Sequence, residues 1–355
     1  MNKLVADIID SSRESPKNRE ERLFLSTGST LLNLACSDNP TKAFATGCIY
    51  NIIGSSSGGK SFVALSALAE ACYNPEFKDY KLILDDAESA CSFDMIGLFG
   101  VDGATRIKND MVVPSNYLED FHYKITTLLN EDTPFIYVLD SLDALTCDVE
   151  ENKTQEILDA RMKGKKISGS YGMSKPKLVS QILRQICSKL SASKSILIII
   201  SQVRDDVNPM TFSKQTRSGG RALRFYSSIV MWLAIKDKLH KTIDGKRFQI
   251  GVVSKVKIDK NKQTGKIRET PLTIRYDYGL DSIQDCVDYL VGYKVFKTSG
   301  VKIDGSILGI DPCRVSTLVN YIEANNLEEK LIGLVSKKYN EIENKLVNKG
   351  RKRKY

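Results

Sequence analysis

The segment Gly54-Ser55-Ser56-Ser57-Gly58-Gly59-Lys60-Ser61 constrains this chain more than any other stretch. It has the spacing G-x-x-x-x-G-K-[ST], follows an apolar run at 48–53 and opens a helical pattern at 60–73, the context that a phosphate-binding loop requires. Glycines let the backbone curl into a nest of N–H groups around phosphate oxygens, and the helix N-terminus adds its positive end. Gly54, Ser55, Ser56, Ser57, Gly58, Gly59, Lys60 and Ser61 are therefore the expected contacts of a nucleoside triphosphate. Lys60 is expected to reach the β- and γ-phosphates, and the Ser61 hydroxyl to ligate Mg2+.

The surrounding pattern predicts an α/β fold. Runs at 80–85, 135–140, 195–201, 228–235 and 248–256 read as further strands, and 117–130 and 177–191 as helices. The unbroken apolar run at 196–200 indicates a strand buried on both faces of a parallel sheet. The last strands come without helices between them, so a mixed, mostly parallel sheet flanked by helices is expected to end in antiparallel hairpins. Asp140 closes the strand at 135–140, which places a carboxylate at the sheet edge beside the phosphate loop, where it can hold magnesium. The strand at 80–85 runs into Asp85-Asp86-Ala87-Glu88. Glu88 is the candidate for orienting an attacking water, while Asp85 and Asp86 read equally well as caps of the next helix. Gln202 ends the strand at 195–201 and is a candidate sensor of the γ-phosphate. The organisation expected is an N-terminal helix and oligomerisation segment (1–24), an ATPase core (25–280), a small C-terminal α/β domain (281–346) and a basic tail (347–355).

Composition narrows the function classes. No run approaches the roughly 18 apolar residues of a membrane span, and the polar, mixed-charge start is unlike a signal peptide, so a cytoplasmic protein without a membrane partner is expected. The eight cysteines show no C-x-x-C pair or zinc spacing, and His122 and His240 are the only histidines. Catalysis is thus left to carboxylates, lysines, arginines and backbone donors. The net charge of +9 is unevenly spread: residues 161–194 hold nine Lys or Arg and no acid, 236–268 form a second basic stretch, and 345–355 hold six basic residues and no acid. Such asymmetry points to a polyanionic partner.

Several segments, taken in order, carry a resemblance. Ser26-Thr27-Gly28-Ser29 leads into the phosphate loop; Asp86-Ala87-Glu88, Leu139-Asp140-Ser141-Leu142 and Ser201-Gln202-Val203-Arg204 follow; Gly219-Gly220-Arg221-Ala222-Leu223-Arg224-Phe225-Tyr226 comes last. From about 25 to 346 the chain resembles RecA-type homologous recombinases, of the kind carried by bacteriophages. The resemblance implies a RecA-like P-loop ATPase core, ATP and Mg2+ as cofactors, and a homo-oligomeric helical filament on single-stranded DNA that pairs with double-stranded DNA. Single-strand-binding and mediator proteins are further candidate partners. Glu88 would be the catalytic glutamate. Two DNA-binding loops would fall at about 150–173 and 203–221. Arg161, Lys163, Lys165 and Lys166 would serve the first, and Arg204, Met210, Phe212, Lys214, Arg217, Gly219, Gly220 and Arg221 the second. Met210 and Phe212 would wedge against bases. Val252 to Lys257 reads V-V-S-K-V-K, similar to the family's V-V-K-N-K, so Lys255 and Lys257 would act in trans on a neighbour's γ-phosphate.

The chain departs from the family in three places. Met95 stands where the family stacks an aromatic on adenine, with Phe93 two residues earlier; the first loop is long and basic; and 351–355 is basic where bacterial members carry an acidic tail. Two other readings compete. A RecA-fold replicative helicase would be expected to carry a separate N-terminal domain, for which the stretch before residue 22 leaves no room. A non-catalytic nucleotide-dependent recombination mediator would have no use for Glu88.

Overall fold

The computed structural model describes residues 22–110, 112–163, 174–205, 215–217, 220–347 and 350. In chain order the strands are β1 (Phe24–Leu25), β2 (Phe44–Ala45), β3 (Cys48–Gly54), β4 (Lys81–Asp86), β5 (Phe135–Asp140), β6 (Ile196–Asp205), β7 (Gln215–Arg217), β8 (Ile229–Ile243), β9 (Lys246–Asn261), β10 (Glu269–Arg275), β11 (Gly279–Leu280), β12 (Thr298–Ser299) and β13 (Lys302–Ile303). A nine-stranded sheet runs β11-β10-β9-β8-β3-β6-β5-β4, with β7 set on β6. The half from β4 to β8 is parallel, and β8 to β11 are antiparallel neighbours, as the spacing of the later strands predicts.

Alternation along the parallel strands builds two cores. Tyr50, Ile52, Leu82, Leu84, Ile136 and Val138 point into one cluster with the helix Lys60–Tyr73. Ile49, Ile83, Tyr137, Leu139, Leu197 and Ile199, each offset by one position, point into the other. A strand with helices on both faces must be apolar at every position, which is why these runs show no period of two. The helix Leu118–Leu129 covers the second core with Leu118, Phe121 and Ile125, and the helix Ser174–Ala192 with Val179, Ile182, Leu183, Ile186 and Leu190. These are the i, i+3, i+4, i+7 positions of one helical stripe.

A third cluster joins Leu31 and Leu34 of the helix Thr30–Ser37 to Val287, Leu290, Phe296 and the helices Val315–Ala324 and Glu328–Leu346. Beside it, Glu343 pairs with Arg268 and Lys266, each at 2.8 Å, and Lys266 with Asp38 at 2.7 Å. Among the described residues no helix is long and apolar enough to cross a membrane, and no disulfide joins the eight cysteines.

The structure departs from the sequence expectation in two regions. β8 and β9 outrun 228–235 and 248–256: beyond Leu239 and Gly251 they pair only with each other and turn at Asp244-Gly245, both at positive φ. The added residues are mostly exposed lysines and polar groups, which leave no apolar period to read. A helix also spans Asp148–Met162, across the first half of the segment expected as the first DNA loop. Of its residues only Ala160 is buried, so it too lacks an apolar stripe.

Candidate nucleotide-binding and catalytic site

β3 delivers Gly54 between Gln202 of β6 and Leu233 of β8. A β-carbon at Gly54 would lie 2.6 Å from the Leu233 carbonyl oxygen, so only glycine fits. Gly59 sits at φ 91° directly before the helix Lys60–Tyr73, a conformation open to glycine at no steric cost. Asn51 is fully buried and donates to the Ile199 carbonyl and to Ser201 Oγ, both at 2.9 Å, locking β3 to β6 beneath the loop. From β9, Ser254 Oγ donates to the Gly58 carbonyl at 2.9 Å.

Lys60 heads the helix with only 8% of its surface exposed, and its Nζ donates to the Ser55 carbonyl at 2.8 Å. Burial pushes its pKa below the ordinary lysine value, against the pull of Asp140, Glu88 and Asp143. Ser61 Oγ donates to Asp140 Oδ2 at 2.5 Å. Burial raises the Asp140 carboxyl above its ordinary range; the Ser61 hydrogen bond opposes this, Glu88 and Asp86 add to it, and Lys60 opposes it. A hydroxyl paired with a carboxylate is the hard oxygen donor set that Mg2+ takes, with waters and phosphate oxygens completing the octahedron. Among the described residues no three His, Cys, Asp or Glu side chains gather as a metal cage, so an ion here relies on those outside oxygens.

The three carboxylates at the end of β4 and just beyond it go three ways. Asp85 is fully buried and accepts from Ser115 N at 2.8 Å, from Ser115 Oγ at 2.6 Å and from the Tyr137 hydroxyl, with Lys124 Nζ 3.6 Å away. Asp86 accepts from Ala90 N at 3.3 Å and Cys91 N at 2.9 Å, closing its own turn. Neither caps the next helix, Met95–Asn109; Asp94 does, accepting from Gly97 N at 3.0 Å. Glu88 faces the cleft, and its Oε1 accepts from Ser141 Oγ at 2.5 Å and from Gln202 Nε2 at 2.8 Å.

The cleft holds about 490 Å³. Lys60, Ser61, Glu88, Asp140 and Gln202 are among its polar lining, and Phe93, Ile274 and Tyr276 also line it. Phe93 packs on Phe62 with ring centroids 4.7 Å apart, and Tyr276 is 52% exposed. Met95 packs against the main core instead of lining the cleft. Sequence reasoning missed Ile274 and Tyr276. They arrive from β10 and the residue after it, which the antiparallel end of the sheet brings up to the phosphate loop, and belong to no local motif.

Of the expected DNA-facing residues, Arg204 and Arg217 lie at the end of β6 that carries Gln202. β6 continues past Gln202 and pairs with β7, Arg204 opposite Thr216 and Val203 opposite Arg217, so both arginines lie in the base of a hairpin. Gly220, at φ 61°, and exposed Arg221 open the short helix Gly220–Tyr226. Arg161 lies in the last turn of the helix Asp148–Met162 and Lys163 just beyond it, both exposed. Lys165, Lys166, Met210, Phe212, Lys214 and Gly219 lie outside the described residues.

Lys255 and Lys257 are exposed on β9, where they alternate with the buried Ser254, Val256 and Ile258. Ser254 meets the phosphate loop, so the lysines project to the opposite face and are not brought to this chain's own loop. Lys255 pairs with Glu269 at 2.6 Å. Farther along β9, Lys260 Nζ donates to the carbonyls of Arg224 at 2.5 Å and Phe225 at 2.8 Å. Lys262 donates to the Phe225 carbonyl at 3.0 Å and stands 5.7 Å over that ring, itself 69% exposed.

The chain matches the RecA N-terminal domain over residues 13–281. Similar curated proteins include protein RecA of Mesoplasma florum, 28% identical over 277 residues, covering 78% of this chain and 75% of that protein. Protein RecA of Chlorobaculum tepidum is 30% identical over 276 residues (78% and 72% covered), and that of Thermus aquaticus 30% over 274 (77% and 73%). With a phosphate loop, an acid-ended strand and a mixed sheet in the order described, and with that domain matched over residues 13–281, the chain belongs to the RecA family.

Proposed function

We propose that this chain is an ATP-dependent DNA recombinase, which forms a filament on single-stranded DNA and pairs the bound strand with a homologous duplex. The observation that carries the reading is the meeting on one Glu88 oxygen of Ser141, which follows β5, and Gln202, whose strand runs on toward the second expected DNA loop. A carboxylate positioned by two donors can orient a water and take its proton. Gln202 can exchange Glu88 for a γ-phosphate oxygen, and a change there is passed along β6.

The N–H groups of the loop 54–61 and Lys60 hold the β- and γ-phosphates of ATP, the substrate. Ser61 and Asp140 would hold Mg2+, which when bound neutralises charge on the phosphate oxygens. Tyr276 and Phe93 flank the base, taking the place of the aromatic missing at Met95. Arg161, Lys163, Lys165, Lys166, Arg204, Lys214, Arg217 and Arg221 contact DNA phosphates, with Gly219 and Gly220 giving the backbone close approach and Met210 and Phe212 meeting bases. Cations from a neighbouring subunit complete the site. Lys255 and Lys257 are one pair for that role; Lys260 and Lys262, bonded to the helix that closes the second loop, are the other. Single-strand-binding and mediator proteins are the expected accessory partners, and the cytoplasm the place of action.

A joint-molecule assay on wild type, Glu88→Ala and Lys60→Ala tests the reading. Wild type is expected to form joint molecules in ATP, Lys60→Ala to form none, and Glu88→Ala to bind DNA without turnover. A wild-type protein that binds ATP and single-stranded DNA yet never pairs homologous duplex, even with accessory proteins, contradicts it. Unwinding of a forked duplex without pairing would favour a helicase.

A further inference from the structure

The turn that follows β5 touches more than the nucleotide cleft. Ser141 holds Glu88, and two residues on the Asp143 carboxylate accepts the backbone N–H of Gln202 at 2.6 Å. One short turn therefore positions both the carboxylate and the side chain that bonds to it. On its other side stands Lys175, at the start of the helix Ser174–Ala192. Its Nζ donates to the carbonyls of Asp143, at 3.2 Å, and Leu145, while its backbone N–H meets Glu150 Oε1 at 3.4 Å in the first turn of the helix Asp148–Met162. Pro176, the next residue, abuts the second loop's closing helix: a β-carbon at Gly220 would stand 3.8 Å from Pro176 Cβ. The ends of three helices that bound the two expected DNA loops thus meet at Lys175 and Pro176, and Lys175 ties them to residues 141–145.

Neither Asp143 nor Lys175 lines the cleft; Asp143 reaches it through its bond to Gln202 and through its charge on Lys60, and Lys175 through the turn. A charged ammonium on two turn carbonyls and a carboxylate on a strand N–H are charge-assisted bonds, stronger and shorter than neutral ones. A displacement of the helix ends is carried by such bonds into the turn, and from the turn into Gln202. Coupling between two ligands requires an element that both of them bias, and the same factor must appear in either direction.

We propose that the turn 141–145 is the joint through which the two basic loops and the nucleotide cleft act on one another, with Asp143 and Lys175 as its positioning residues. The proposal rests on the nucleotide- and DNA-binding reading above. It adds a route between the two sites and names residues that touch neither ligand.

The test uses the full-length protein and a fluorescein-labelled oligo-dT. Its affinity is measured by anisotropy in Mg2+ with ADP and with a non-hydrolysable ATP analogue, and the ratio of the two affinities reports coupling. Wild type is expected to show a ratio of about tenfold or more. Asp143→Ala and Lys175→Met should bring it down at least about fivefold, toward one, while nucleotide affinity without DNA stays within about twofold of wild type. Asp143→Asn, which keeps an acceptor oxygen, and Lys175→Arg, which keeps the donors, should preserve the ratio. A merely structural turn would weaken both affinities together and leave the ratio unchanged. Truncations that keep the ratio, conservative variants that lose it as fully as the truncations, or a wild-type ratio of one would each overturn the joint. A wild type that binds neither ligand would instead remove the functional reading, and the joint with it. Should Asp143→Ala fail to fold, Lys175→Met and its arginine control carry the test alone.

Discussion

Gly54→Ala probes the fit between the phosphate loop and the sheet. The added β-carbon would lie 2.6 Å from the Leu233 carbonyl oxygen, a backbone atom with no rotamer to change. Leu233 is held between Gly54 on β3 and Val256 on β9, so the carbonyl cannot swing aside without disturbing a strand pair. The contact must open to at least 3.0 Å, which parts β3 from β8 where the nest of N–H groups begins. Overpacking of this kind costs about 1–3 kcal/mol. Relief comes from moving the loop, so ADP affinity should fall by about 5- to 150-fold, the same free energy expressed as binding. Gly58→Ala is the control: its β-carbon would meet the Ser55 carbonyl at 3.3 Å, a contact that a small shift relieves. Its cost should stay below about 1 kcal/mol. Urea denaturation and calorimetric titration with ADP read both effects. If Gly54→Ala denatures and binds ADP like wild type, or if Gly58→Ala is equally damaging, the steric reasoning is wrong.

Three further outcomes are expected. Because the Asp140 carboxyl is raised by burial, the enhancement of nucleotide affinity by Mg2+ should fade on acidification at a pH above the ordinary carboxylate range; Asp140→Asn and Ser61→Ala should each abolish most of it, and an undiminished Mg2+ effect in both would exclude them as ligands. Asp285 is buried and accepts from Thr273 N at 2.9 Å and Thr273 Oγ1 at 2.6 Å, yet burial raises it from 3.8 to about 6. A raised carboxylate stabilises the fold below pH 3.8 and loses that contribution as pH climbs through about 6. Asp285→Asn, which can keep both contacts with the threonine hydroxyl turned around, should therefore gain on wild type from pH 4 to 7, by at most roughly 3 kcal/mol; parallel stability curves for the two proteins would refute this. For the trans cations, ATP turnover on DNA should collapse in only one of the double variants Lys255→Ala/Lys257→Ala and Lys260→Ala/Lys262→Ala, and mixing with Glu88→Ala subunits should partly restore it. Full activity in both would leave neither pair with the role.

Features carried by local sequence were legible before the structure. The strands at 48–54 and 135–140 and the helix Lys60–Tyr73 fall where apolar runs and the glycine loop put them, since each is fixed by burial on both faces or by one motif. The family likewise followed from short motifs in order. What tertiary placement decides was not legible. Nothing local distinguishes Asp85, sunk against Ser115 and Tyr137, from Glu88, two residues past Asp86 and turned to the cleft. Tyr276 joins the cleft only because the antiparallel end of the sheet comes up to the phosphate loop. The ribbon at the tips of β8 and β9 and the helix Asp148–Met162 are solvated nearly all round, so hydrophobic periodicity, the main signal of secondary structure, is absent from both.

The most direct measurement is steady-state ATP turnover in Mg2+ by wild type and Glu88→Gln, with and without single-stranded DNA. Wild-type turnover is expected to rise at least about tenfold on DNA, and Glu88→Gln to fall about 100-fold or more below it while still binding ATP and DNA. Equal wild-type rates with and without DNA, or a Glu88→Gln protein that turns over like wild type, would contradict a DNA-dependent ATPase built on Glu88.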